Sequence, residues 1–121
     1  MNQKFSHSPD DLPPSKLTQI DALLRRELEL SIGINFHTSC SNKMKILLAK
    51  CEWYFTTNSS ATTLVINCPD LTTSWSVLNQ VVAIATTLES FASSGKIRIC
   101  PPVAQGEPFE IRVDELDIYR E

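Results

Sequence analysis

Residues 62–102 read TTLVINCPD, LTTSWSVLNQVVAIATTLESFASSG and KIRICPP in succession. A short β-rich run, a long run with helical apolar spacing and a second β-rich run follow one another, and both β-rich runs stop at Cys-Pro, Cys68-Pro69 and Cys100-Pro101. Two strands separated by a helix-length crossover pair in parallel, in the right-handed βαβ arrangement. The two Cys-Pro corners are therefore expected at the same edge of one sheet.

The helical run 73–92 carries two overlapping apolar stripes. Trp75, Leu78, Val82, Ala85 and Leu88 form one, and Val77, Val81, Ile84, Leu88 and Phe91 form the other. Together they exceed the roughly 100° arc that a surface helix lays on a sheet. A single helix with that much apolar surface is buried on both sides or pairs with a partner. Thr72, Thr73 or Ser74 is the expected cap, and Ser93-Ser94-Gly95 ends the helix.

The flanking elements follow from period and punctuation. Residues 1–14 are dominated by Ser, Pro, Asp, Asn and Gln and read as a flexible tail, leaving 15–121 as a single α/β domain. Ser15 precedes Leu17, Ile20, Leu23, Leu24 and Leu28, one face of a helix over 16–30, with Lys16, Gln19, Arg25, Arg26 and Glu29 on the other side. That face is expected to lie on the sheet. Gly33 ends the helix, and Ile34, Phe36, Thr38 and Cys40 alternate with polar residues as in a half-buried strand.

After the break at Ser41-Asn42-Lys43, residues 44–49 read as the return strand of a hairpin. Met44, Leu47, Leu48 and Cys51 also fit a helix over 42–51. Trp53, Tyr54 and Phe55 are strand-like. Residues 64–68 and 96–100 are strands, and Phe109, Ile111 and Val113 alternate with Glu110, Arg112 and Asp114 in a last one. In the acidic ending ELDIYRE, Leu116, Ile118 and Tyr119 can tuck back onto the core. The expected fold is α/β of mixed α+β character: a single layer pair, two helices on one face of a four- to five-stranded mixed sheet, containing one βαβ unit.

Composition narrows the function classes. With 121 residues, 42% of them hydrophobic and 21% charged, the chain suits one globular domain. A net charge of −3 argues against a nucleic-acid binder, which needs a basic face. No run approaches the roughly 18–20 apolar residues of a membrane span, and the polar start reads as no signal peptide. A cytoplasmic location with Cys40, Cys51, Cys68 and Cys100 reduced is the matching expectation.

Catalytic and ligand motifs are missing. The sequence has no C-x₂-C pair, no G-x-x-x-x-G-K-[ST], no G-x-G-x-x-G, no G-x-S-x-G and no H-E-x-x-H. It implies no metal and no cofactor. Cys68, Asp70 and Cys100 are the ligand or thiol-site candidates. They share the outer edge of the βαβ unit, where open α/β sheets bind ligands, and Cys68 precedes a helix N-terminus whose dipole lowers a thiol pKa. Asp70 equally suits a turn or cap.

The stretch LTQIDALLRRELEL, followed by a strand pair, and the ending EPFEIRVDELDIYRE resemble small uncharacterised proteins of filamentous cyanobacteria. The resemblance covers the two ends of the chain and rests on no catalytic motif. It implies a cytoplasmic bacterial protein and carries no activity.

The leading expectation is a small non-enzymatic protein-interaction module, regulatory in character, acting as a homo-oligomer or on another protein. Its interface candidates are Trp53, Tyr54, Trp75, Val77, Val81, Ile84 and Phe91. The alternative is a thiol-based sensor or enzyme at the Cys68/Asp70/Cys100 edge. A third is a nucleic-acid accessory protein using Arg25, Arg26, Lys43, Lys45 and Lys50.

Overall fold

The structure, a computed structural model, describes residues 14–57, 61–92 and 94–115. The expected N-terminal tail and the packing of Leu116, Ile118 and Tyr119 lie outside these residues, apart from Pro14. That residue begins the first helix, where its fixed φ and missing N–H are tolerated, and Ser15 lies inside the helix.

The elements are α1 (Pro14–Ser39), α2 (Asn42–Ala49), β1 (Glu52–Thr57), β2 (Thr62–Asn67), α3 (Leu71–Asn79), α4 (Val81–Glu89), β3 (Lys96–Cys100) and β4 (Phe109–Arg112), with a closing 3₁₀ turn (Val113–Glu115). The four strands form one open mixed sheet in the order β1-β2-β3-β4. The β1/β2 and β3/β4 pairs are antiparallel, and β2/β3 is parallel. The sequence β2-α3-α4-β3 is the βαβ unit.

Strand alternation sorts the side chains onto two faces. The inner face stacks Phe55, Leu64, Ile97 and Ile111 in one cross-strand row, with Trp53, Ile66, Ile99 and Phe109 in the next. Leu64, Ile66 and Ile97 are fully buried, and Ile99 and Ile111 nearly so. Phe36 from α1, Met44, Leu47 and Leu48 from α2, Val77 from α3 and Val81, Ile84, Ala85 and Leu88 from α4 complete this core. Among the described residues no helix covers the other sheet face. That face carries Tyr54, Val65, Arg98 and Glu110 in one row, with Val65 buried and Arg98 paired to Glu110 at 3.3 Å.

Three sequence expectations are corrected. The strand over 34–40 is the second half of α1. Of the alternating set only Phe36 and Cys40 are buried, four residues apart, while Ile34 and Thr38 face solvent. Gly33 lies within the helix, where its α-carbon side passes over Phe55 and Trp53.

The return strand over 44–49 is helix α2. Ser41 takes an extended φ/ψ of −67°/162° and its Oγ accepts a hydrogen bond from the Met44 N–H at 3.2 Å, a side-chain N-cap. Met44, Leu47 and Leu48, at i, i+3 and i+4, go inward. The hairpin therefore forms between β1 and β2, and the strand count is four.

The single helix over 73–92 is two helices broken at Gln80 (φ −106°, ψ 9°). The break divides the overwide apolar arc: α3 meets α2 and β3, while α4 meets α1 and the closing turn, and each buries its own residues. The cap is Asp70, not Thr72, Thr73 or Ser74. Its Oδ1 accepts from the Thr73 N–H at 2.7 Å, and Thr73 and Ser74 are themselves buried.

Candidate functional site

Two places stand out from the core, one apolar and one a cluster of thiols. The apolar one is α1. All of residues 18–28 are exposed, so the first half of the helix projects past the body of the domain. Ile20, Leu23, Leu24, Leu28, Leu30 and Ile34 are 42–67% exposed. At about 100° per residue, these six fall within an arc of about 160°. Glu29, Ile32, Gly33 and Phe36 occupy the opposite side of the helix.

That opposite side meets β1. Phe36, Trp53 and Phe55 form an edge-on aromatic cluster with ring centroids 5.5–6.3 Å apart. His37 stacks on Trp53 at 5.9 Å. One Glu29 carboxylate oxygen accepts from the Thr57 N–H at 2.8 Å and from the Thr57 hydroxyl at 3.1 Å, which satisfies an amide of the edge strand. Between helix and strand runs a groove of about 320 Å³, lined by Arg26, Glu29, Leu30, Gly33, Ile34 and the aromatics of β1. Leu30 and Ile34 belong to both the groove and the exposed stripe.

The thiol cluster lies at the end of the sheet where β2 and β3 finish. Cys51 and Cys68 line one shallow cleft, and the Cys51 thiol donates to the Leu47 carbonyl at 3.7 Å. Ser74, buried in the first turn of α3, neighbours Cys68. Burial pushes the Cys68 thiol up to about 12, with the neighbouring Cys51 adding to the rise. Burial also raises Cys51 and Cys40. The Asp70 carboxyl, held by the Thr73 amide, lies below its ordinary value. Protonated thiols are poor nucleophiles. The position before a helix N-terminus does not activate Cys68, because desolvation outweighs the dipole there.

The interface candidates read from sequence divide. Val77, Val81 and Ile84 belong to the core of this chain and offer nothing to a partner. Trp53 is half-buried in the aromatic cluster. Tyr54 on the open sheet face, Trp75 on α3 and Phe91 after α4 are exposed, at 45%, 64% and 39%, but lie on separate surfaces. Of the thiol-edge set, Asp70 is the cap of α3. Cys68 points inward and Cys100 lies on the opposite sheet face, although the Cys68 N–H donates to the Cys100 carbonyl at 2.9 Å.

Sequence reasoning missed Cys51 and the stripe on α1. For the stripe the signal was present in Ile20, Leu23, Leu24 and Leu28, but it was assigned to the sheet. Arg25 pairs with Asp21 one turn away, while Lys43 and Lys50 line a separate cleft between α2 and α3.

Among the described residues no helix is long and apolar enough to cross a membrane, and no group of three or more His, Cys, Asp and Glu residues is placed to hold a metal ion. The chain matches no family model, no curated protein and no solved structure.

Proposed function

We propose that the protein is a non-enzymatic interaction module that self-associates through the outer face of α1. The observation that carries the reading is the apolar stripe from Ile20 to Ile34, exposed and turned away from the core, on a helix whose residues 18–28 are all exposed. A projecting helix of about four turns is marginal in water unless its apolar face is packed. The six side chains offer on the order of 600 Å² of apolar surface, at the upper end of what a monomer exposes in one patch and near the roughly 800 Å² per partner of a standard interface.

A second copy of the chain is the occupant that fits. Along 18–31 the charges are Arg25 and Arg26 against Asp21, Glu27 and Glu29, so the surface is nearly neutral and mixed in sign. A partner selected by charge would meet a surface of one sign, whereas mixed sign tolerates pairing with itself. Two α1 helices packed antiparallel give an isologous interface with a twofold axis. The stripe on each then meets the stripe on the other, and the groove beside Leu30 and Ile34 takes side chains from the partner's end of the pair.

Light scattering coupled to size exclusion tests this at 10-fold steps in protein concentration. The wild type is expected as a dimer at about 100 µM, and Leu24→Glu with Ile34→Glu as a monomer with unchanged far-UV circular dichroism. A wild type that stays monomeric across the range sinks the proposal, as does a double variant that remains dimeric.

Cys68 turns inward, Cys100 lies on the opposite sheet face and Asp70 caps α3, which speaks against a single sensor or catalytic site at the Cys68/Asp70/Cys100 edge. Net charge and the Arg25–Asp21 pair speak against the nucleic-acid accessory.

A further inference from the structure

We propose that Cys51 and Cys68 form a redox-modifiable pair that closes into an intramolecular disulfide when the protein meets a small-molecule disulfide of the glutathione class. Pair geometry carries the proposal. The antiparallel register of β1 and β2 runs from Thr57 opposite Thr62 to Glu52 opposite Asn67. One step further along the same register sets Cys51 opposite Cys68. Residues directly opposite one another in an antiparallel pair have α-carbons about 4.5–5.5 Å apart, inside the roughly 4.4–6.8 Å span that a disulfide bridges. By the same alternation both side chains point to the inner face, and the two residues line the same cleft.

Cys100 is excluded as the partner by the same logic. It pairs with Asn67 in the parallel ladder, so it lies on the outer face, while Cys68, one residue on, turns inward. Cys40 is buried at the end of α1, on a different element.

Access differs between the two thiols. Cys68 is 6% exposed, whereas Cys51 is half-buried, and both line a shallow cleft of about 310 Å³ with Lys50, Glu52, Asn67 and Pro69. Cys51 is therefore the sulfur that an incoming disulfide reaches, and Cys68 the one that resolves. The Cys51 thiolate attacks one sulfur of the oxidant; that S–S bond breaks, a mixed disulfide forms, and the departing thiolate is protonated. Cys68, its proton passing to solvent, then attacks the Cys51 sulfur and expels the second half of the oxidant as a thiolate, which is also protonated. Two protein thiols are oxidised, one small disulfide is reduced to two thiols, and the proton count balances.

The test is a non-reducing peptide map of the full-length protein after native incubation with oxidised glutathione and alkylation of the remaining thiols. Trypsin leaves both cysteines in one peptide, since no Lys or Arg lies between Cys51 and Lys96, so cleavage after Glu52 is needed to separate them. The expected product is a Cys51-peptide linked to a Cys68-peptide, two hydrogens lighter than the separate thiols, with Cys40 and Cys100 alkylated. The rate of its formation should rise nearly tenfold per pH unit between pH 7 and 8.5, because exchange proceeds through a thiolate that is a minor species there. The Cys100→Ser protein should give the same product. A Cys68–Cys100 link, an intermolecular disulfide, glutathione adducts without a cross-link, or four alkylated thiols would each overturn the proposal. Mapping the wild type needs no variant to fold.

Discussion

Helix α1 and the α3–α4 crossover are both rich in apolar residues at helical spacing, and they end in opposite situations. The crossover carries more apolar surface than one sheet face needs, and it buries most of that surface within the chain: Val77, Ile84, Ala85 and Leu88 have no exposure, while Trp75 and Phe91 stay exposed. It does so by breaking at Gln80, which divides one overwide arc between two helices with different neighbours. The stripe on α1 looks like the face of an ordinary surface helix, yet it points away from the sheet. The body takes the other side of α1 through Ile32, Phe36 and the close pass at Gly33. Spacing shows that a helix has an apolar face. What covers the face is decided by the rest of the fold.

The contrast is broken or sharpened most strongly by paired truncations. Ile84→Ala removes a fully buried side chain from the crossover and should lower stability by about 2–5 kcal/mol, or roughly 10–20 °C in the thermal midpoint. The loss should be the same at 1 µM and 100 µM protein, since that core belongs to one chain. Leu24→Ala removes a side chain that is 63% exposed. At the dilute end its effect should stay within about 0.5 kcal/mol. At the concentrated end it should lower the midpoint, because wild-type stability there includes association. Equal effects of Leu24→Ala at both concentrations would put α1 inside a single chain's core and erase the distinction.

Much of the sheet is legible in the sequence. The short apolar run of β2, the alternation in β3 and β4 and the helix-length crossover between β2 and β3 give the mixed character and the parallel centre. The α1–α2 region is not legible, for a local reason. Ile34, Phe36, Thr38 and Cys40 satisfy a period of two, and Phe36 with Cys40 satisfies a period of four equally well. Only the position of β1 decides between them. Once Trp53 and Phe55 face Phe36, the helix continues through Gly33 and the strand has no sheet to join. The pairing of Cys51 with Cys68 depends on the same fact, since it follows from the register of β1 on β2.

A smaller change of opposite sign probes the inner side of α1. A Cβ placed on Gly33 would lie 3.8 Å from Phe55 Cδ1 and 3.9 Å from Trp53 Cζ3, both ordinary van der Waals distances. Glycine inside a helix costs about 0.5–1 kcal/mol relative to alanine. Gly33→Ala should therefore raise stability by about that amount, seen as a higher denaturant midpoint with unchanged slope. A strand or turn at 33 would give no such gain. A loss of stability would mean that α1 approaches β1 more closely than these distances allow.

The smallest effect concerns how the crossover begins. Asp70 accepts the Thr73 amide hydrogen bond, and that bond holds the carboxyl below its ordinary 3.8. A folded-state value lower than the unfolded one means that the charged form favours folding. The contribution is complete above about pH 4 and is lost as pH falls through the folded value. Asparagine caps nearly as well but does not titrate. Asp70→Asn should therefore be slightly less stable than wild type near neutrality, where the carboxylate also interacts favourably with the helix dipole, and the difference should shrink towards pH 2–3. Chemical denaturation at several pH values measures it. A difference independent of pH would leave the hydrogen bond as the whole of the cap. A larger deficit for the variant in acid would mean that the Asp70 charge does not favour the start of α3.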